Sequence, residues 1–222
     1  MLLSIDTSTQ WIGLSLYDGD MVRAESVWKS SNYHTVELAP AIERLLKQCD
    51  LVTSQLSVLA VALGPGSFTS LRIGLAIAKG MALSLNIPIV GIPTLDILAA
   101  AHQPGNIPLL AVLQAGRGKL ASQLYTMHDQ TWVPLDEIKI FSIKTLEESI
   151  TASTLVCGEL TGEERRFLQQ KNAKAHIISP AQSLRRPSIL SELAWTRWQS
   201  GDTDETASLS PIYLHTGTPI PA

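Results

Sequence analysis

The stretch Gly64-Pro65-Gly66-Ser67-Phe68-Thr69-Ser70-Leu71-Arg72-Ile73-Gly74 decides how this chain is read. An apolar run, Val58 to Leu63, precedes it and has the valine and leucine content of a buried strand. The run that follows, Leu75 to Leu85, is alanine-rich and apolar almost all round, and predicts a helix over 68–85. The glycines therefore mark a strand-to-helix turn, where backbone N–H groups at the helix start can face an anion. Two readings of the turn stand side by side. One is a phosphate cradle; the other is a tight turn that lets the helix pack closely on a sheet. A Walker P-loop carries lysine and Ser/Thr after its last glycine, and Leu71-Arg72-Ile73 stands there instead.

Working outward, the helix has two rows of small residues four apart: Gly74, Ala78, Ala82 and Ala76, Gly80, Ser84. Only Arg72 and Lys79 are charged, and they share one narrow stripe with Ala76. A surface helix shows a wide polar face, and this one does not, so it is buried in its own domain or covered by a partner. Residues two apart on a helix point about 200° apart, so Ala76 and Ala78 face nearly opposite sides. The charged stripe predicts Ala76 outward and Ala78 toward the sheet.

Before the turn, Leu2–Ile5 reads as a strand ending at Asp6-Thr7-Ser8-Thr9, followed by strands over 11–17 and 21–27 about the turn Asp18-Gly19-Asp20. A helix is expected over 35–49 with Pro40 inside it; His34 at its entrance is a structural group or, alternatively, a ligand or base. After the turn come a strand over 87–92 and a helix to about Ala101. Gln103-Pro104-Gly105-Asn106 reads as the linker, giving lobes at 1–103 and 104–222 with the C-terminal tail docking back on the first. The second half again opens strand, polar turn, strand (109–113, 114–119, 120–127), an echo that suggests a duplicated two-lobed α/β plan. Mixed strand over 132–142, helices over 144–150, 163–171 and 188–198, and a strand over 154–157 complete it.

The 222 residues carry a formal net charge of −3 with no run of lysine or arginine, which gives no support for an independent grip on nucleic acid. Two cysteines, Cys49 and Cys157, provide no disulfide framework, and the opening residues lack a signal-peptide pattern, so a cytoplasmic location is expected. The five histidines show no metal spacing, no C-x-x-C is present, and Gly64-Pro65-Gly66-Ser67-Phe68 lacks the last glycine of a nucleophile elbow. Of the carboxylates, Asp6 stands out because it ends a buried strand.

Taken together, Ile5-Asp6-Thr7-Ser8-Thr9, His34-Thr35, the Gly64–Thr69 block with Leu71-Arg72-Ile73-Gly74, Gly91-Ile92-Pro93-Thr94-Leu95 and Pro211-Ile212-Tyr213-Leu214 resemble the bacterial TsaB (YeaZ) family. The resemblance is dense to about position 95 and thin beyond. It implies a two-lobed α/β fold of the actin and hexokinase (ASKHA) type with mixed sheets. It also implies a role in making threonylcarbamoyladenosine beside the anticodon of certain tRNAs. The family member is a subunit that supports a catalytic paralogue, TsaD, with the ATPase TsaE as third member; tRNA is met only through the complex. No cofactor of its own is implied, ATP and Mg belonging to the partner subunits, and no membrane is involved. A second copy of the chain is an alternative occupant of the partner face.

Nucleotide-binding members of that superfamily have Asp-x-Gly-Thr/Ser after the first strand; here Ser8 replaces the glycine. At the second turn Gln114 stands where relatives often carry aspartate and Gly116 where arginine is common, with Arg117 one place along. The expectation is a catalytically silent chain with a vestigial nucleotide site at Asp6, Ser8, Thr9, Gly64, Gly66 and Ser67. The expected partner surface comprises His34, Leu38, Ile42 and Leu45 on the first helix and Phe68, Arg72, Ala76, Lys79 and Leu83 on the second. The rival is an ATPase, kinase or peptidase-like hydrolase using Asp6 and the glycine turn.

Overall fold

The first half of the computed structural model, which describes residues 1–31 and 34–214, runs β1 (Leu2–Asp6), β2 (Trp11–Tyr17), β3 (Val22–Lys29), α1 (His34–Gln48), a 3-10 turn, β4 (Val58–Ala62), α2 (Phe68–Leu85), β5 (Ile89–Ile92) and α3 (Thr94–Ala100). The second half runs β6 (Leu109–Gln114), β7 (Leu120–His128), β8 (Thr131–Pro134), β9 (Lys139–Phe141), α4 (Ile143–Ser149), β10 (Thr154–Gly158), α5 (Gly162–Lys171), β11 (Ala175–Ile177) and α6 (Pro187–Gln199). The expected strand over 132–142 is thus two short ones, and the three-residue β11 is too brief for a sequence pattern to reveal.

The strands form two mixed sheets, ordered β3-β2-β1-β4-β5 and β11-β10-β6-β7-β8, with β9 also on β7. In each, the first strand of the half has an antiparallel neighbour on one side and a parallel one on the other: β2 and β4 about β1, β7 and β10 about β6. The echo seen in the sequence is therefore a repeat of topology.

Why β1 and β4 read as continuous apolar runs follows from burial on both faces. Leu3, Ile5, Leu59 and Val61 point to one side, against Leu38, Ile42, Leu45 and Leu46 of α1 and Leu75, Ala78 and Ala82 of α2. Leu2, Val58, Ala60 and Ala62 point to the other, against Ile97 of α3 and Leu190 and Ala194 of α6. Trp195 stacks edge-on with Trp198 and Tyr17 along the rim of that second layer.

The layering interlocks the two halves that meet at the expected linker, 103–106. Helix α3, from the first half, puts Leu95, Leu98 and Ala99 into the core of the second sheet beside Leu109, Ala111 and Tyr125. Helix α6, from the second half, lies on the first sheet. Among the described residues the chain crosses between lobes twice, and each half lends one helix to the other. Past α6 the tail runs along the first lobe: Asp204 pairs with Ile89, and the Ile212 N–H donates to the Leu63 carbonyl at 2.7 Å.

Helix α2 starts at the N-cap Ser67, whose hydroxyl accepts from Ser70, and stops at Asn86 in the left-handed region. Its row Gly74, Ala78, Ala82 is buried and its row Ala76, Gly80, Ser84 is exposed. At Gly74 a β-carbon would lie 2.2 Å from Thr7 Oγ1, so glycine is what lets the helix close on the β1 turn. Among the described residues α2 is also the one helix long and apolar enough to cross a membrane, but one side of it is seated on the sheet.

Candidate functional site

The ends of β1, β6 and β10 open onto a cleft of about 990 Å³ between the lobes, lined by Thr9, Gly66, Ser67, Gln114, Glu159 and Arg185 among others. Each side chain at its floor already has a partner from the chain. Asp6, at the end of β1, accepts from the Ser8 N–H at 2.8 Å through Oδ1 and from Arg185 Nε at 2.7 Å through Oδ2. Thr9 Oγ1 donates to Glu159 Oε1 at 2.6 Å and accepts from Arg185 Nη2 at 3.0 Å. Arg185 Nη1 is also hydrogen-bonded to Glu159 Oε1. The Arg185 side chain is 2% exposed. Burial pulls its pKa down, but the Asp6 and Glu159 carboxylates outweigh this and hold it above its ordinary value. A guanidinium thus occupies the place beside Asp6 that a bound cation would need.

The glycine turn is packed tightly against the β1 turn. A β-carbon on Gly66 would fall 2.0 Å from the Ser8 carbonyl oxygen, and the Ser67 N–H donates to that oxygen at 2.7 Å. The N–H group that an anion would meet on Ser67 faces the chain's own backbone. Gly64 N–H donates to Thr94 Oγ1 at 2.9 Å, and that hydroxyl also bonds Ser8 Oγ at 2.7 Å. Of the expected nucleotide-site residues, Thr9, Gly66 and Ser67 line the cleft, whereas Asp6, Ser8 and Gly64 lie beneath its surface.

At the second turn Gln114 Nε2 donates to the Glu159 carbonyl at 3.0 Å and to Glu164 Oε2 at 2.9 Å. Glu164 also caps α5 by accepting from the Thr161 N–H at 2.7 Å. An aspartate at 114 would set a second negative charge against Glu164, so glutamine suits this neighbourhood. Arg117 is exposed at the tip of its turn, with φ 51°, and does not line the cleft. Among the described residues no group of three or more His, Cys, Asp or Glu is placed to hold a metal.

The expected partner residues divide. His34, Leu38, Ile42 and Leu45 are buried, which corrects their assignment to a surface. The stripe 38, 42, 45, 46 is the face that α1 turns to its own sheet, and His34 Nε2 is 3.0 Å from the Thr9 carbonyl. The large apolar residue that α1 exposes is Val36, at 68%. On α2, Phe68 (54%), Ala76 and Leu83 (69%) are exposed. Arg72 is exposed too, with its guanidinium 3.7 Å over the Phe68 ring and Nε donating to Tyr213 Oη at 2.8 Å. Lys79 is half-buried and committed to the tail, donating to the Ala207 and Leu209 carbonyls at 2.9 and 3.1 Å. Sequence reasoning missed Arg185 and Glu159, and had Tyr213 only as part of the docking tail, not as a partner of Arg72. The inward stripe of α1 was legible in its spacing, but Arg185 had no such signal.

Fold and cleft together define the class: a two-lobed α/β protein of the actin and hexokinase type, with mixed sheets about an interlobe cleft. The family described as "TsaD: tRNA N6-adenosine threonylcarbamoyltransferase" matches residues 28–176. The chain is 30% identical over 217 residues to the tRNA threonylcarbamoyladenosine biosynthesis protein TsaB of Bacillus subtilis, covering 96% of this chain and 93% of that one. To its Escherichia coli namesake it is 32% identical over 121 residues, 54% of this chain and 52% of the other. The solved YeaZ structure from Pseudomonas aeruginosa superposes with a TM-score of 0.76 at 20% identity, over 96% of this chain and 99% of that one. The chain belongs to the TsaB family.

Proposed function

We propose that this chain is a non-catalytic subunit of the machinery that makes tRNA threonylcarbamoyladenosine, and that it binds a TsaD-like catalytic relative. The observation that carries this reading is the outer face of α2, where Phe68, Ala76 and Leu83 stand exposed. An apolar row of this kind along an 18-residue helix suits a helical partner surface. Small residues at Ala76 and Gly80 allow a partner's backbone to approach closely. The names of the relatives supply the chemistry: they are called biosynthesis proteins for this modification, and the matching family is called its transferase. In this reading tRNA and a TsaE-like ATPase are met through the complex, in the cytoplasm, and a second copy of the chain takes the same face when the transferase is absent.

The test is co-elution of the purified chain with the transferase homologue of the same cell, wild type against Ala76→Arg. The arginine is expected to leave the melting temperature within about 2 °C, since exposed substitutions change stability little, and to abolish co-elution. A variant that folds and binds as the wild type does would remove α2 from the interface. The size of the cleft favours one rival, an enzyme using a nucleotide. Calorimetry with Mg-ATP decides it: weak or no binding is expected, because Arg185 already holds Asp6, and tight magnesium-dependent binding would overturn the non-catalytic reading.

A further inference from the structure

Arg185 lies on the crossing segment between β11 and α6, the second passage of the chain from one lobe to the other. That segment is anchored at both ends. The Ile178 N–H donates to Val156 of the second lobe, and Arg186 pairs with Glu25 of the first. Between the anchors the Arg185 guanidinium reaches three acceptors: Asp6 and Thr9 from the first lobe and Glu159 from the second. Without a cation between them, Asp6 and Glu159 would face one another across the cleft as like charges in a poorly hydrated place. The planar fork of a guanidinium meets these acceptors at once, which an ammonium does not.

The same turn, Asp6 to Thr9, is hydrogen-bonded to the starts of both outer helices. The Thr9 carbonyl is bonded to His34 at the first residue of α1, and the Ser8 carbonyl accepts from Ser67, the N-cap of α2. Thr7 Oγ1 donates to the Ser70 carbonyl at 2.7 Å, in the first turn of α2. The turn is thus a contact point that the starts of α1 and α2 share.

We propose that Arg185 is the cleft's own ligand: a guanidinium that holds the two lobes closed without any bound small molecule, and thereby sets α1 and α2 in the arrangement the partner meets. The first half of this stands on the cleft alone; the second half rests on the partner-binding reading above.

The experiment uses the full chain and Arg185→Ala. Hydrogen exchange of the isolated variant is expected to quicken by about tenfold or more, the factor that about 1.4 kcal/mol corresponds to, at residues 7–11, 34–38 and 159–162. Exchange within β4 should stay as in the wild type. Ethylguanidinium at tens of millimolar should restore protection at all three segments, and ethylammonium should not. A side chain that only fills space would not separate these two cations. Unchanged exchange in the folded variant, or equal rescue by both cations, overturns the proposal. If Arg185→Ala yields no folded protein, Glu159→Gln decides in its place. It keeps the side-chain volume and the Asp6 pair, and faster exchange at 7–11 and 34–38 is expected; wild-type exchange there is the overturning result. In the partner arm, Arg185→Ala should bind the transferase homologue about tenfold or more weakly, with ethylguanidinium restoring affinity. Unaltered affinity overturns the transmission to α1 and α2. Should the wild type itself not bind the homologue, the functional reading falls, while the exchange arm still decides whether Arg185 closes the cleft.

Discussion

Replacing Gly66 by alanine discriminates between the two readings of the glycine turn. If the turn were a cradle open to an anion, the added methyl would meet empty space and the free protein would hardly notice it. In the structure it meets backbone: the Ser8 carbonyl oxygen at 2.0 Å, its carbon at 2.8 Å and the Ser8 Cα at 3.1 Å. No side chain can swing aside, so the β1 turn and the start of α2 must separate. Overpacking of this kind costs about 1–3 kcal/mol, and losing the Ser67 to Ser8 hydrogen bond adds about 1 kcal/mol. For a domain of this size about 1 kcal/mol moves the melting temperature by 2–4 °C, so the two together imply a fall of roughly 5–15 °C. Gly80→Ala is the matched control. Gly80 lies mid-helix with nothing within 4 Å of an added β-carbon. There the same change should stabilise by up to about 1 kcal/mol, because alanine is the better helix former. Circular-dichroism melts of the two variants beside the wild type suffice. A Gly66→Ala protein melting within about 2 °C of the wild type would refute the reasoning, since that is less than the smallest cost considered.

Three further outcomes follow from burial. Ala78 is fully buried under the first sheet, so Ala78→Arg should cost on the order of 3–5 kcal/mol or more and give little soluble protein; a normal yield with a wild-type melt would contradict the packing. Burial raises the Asp96 pKa above the aspartate value of 3.8, outweighing the Tyr125 hydroxyl that donates to it at 2.6 Å. The folded state therefore holds the Asp96 proton more tightly than the unfolded chain. Its contribution is complete below that value and is lost as pH rises through the folded pKa. The melting temperature of Asp96→Asn minus that of the wild type should therefore grow as pH rises from acid to neutral, and a difference that shrinks would be fatal to this account. Burial also pushes the Cys157 thiol up to about 12, while Cys49 is half-exposed. Mass spectrometry after brief treatment with an aromatic disulfide reagent should find one adduct, on Cys49, and a second on Cys157 only after denaturation.

Local periodicity explains what the sequence disclosed. The alternation of Leu2, Leu3 and Ile5 and the 3.6-residue spacing along α2 are properties of neighbouring residues, so the strands, the helix and its two unlike faces were legible. The inward face of α1 obeys the same rule, and assigning Leu38, Ile42 and Leu45 to a surface overlooked it. The exchange of α3 and α6 between the lobes was not legible. An apolar stripe reports that a helix is covered but not by which sheet. Arg185 lies 179 residues from Asp6, in a segment with no periodic pattern, and its three acceptors come from both halves of the chain. No spacing rule connects such residues; only the folded topology does.

The distribution of satisfied and unsatisfied surface gives the strongest physical ground for a binding role. Inside the cleft, three groups a small ligand could use are already taken. Asp6 is held by Arg185, the Thr161 N–H by Glu164, and the Ser67 N–H by Ser8. A ligand entering there would have to break charge-assisted bonds, each worth about 1.5–3 kcal/mol, before forming its own. On the outside of α2 the balance is reversed. Phe68 and Leu83 hold apolar area in water, and burying it returns about 25 cal/mol per Å² with no bond to break. Arg72 is already stacked on Phe68 and bonded to Tyr213, so part of its side-chain freedom is lost before any partner arrives. A rigid aromatic and arginine cluster at the edge of an apolar helix face is the composition of a protein-binding hot spot. The chain satisfies Asp6, Glu159 and Arg185 of its cleft internally and leaves the apolar outer face of α2 in water.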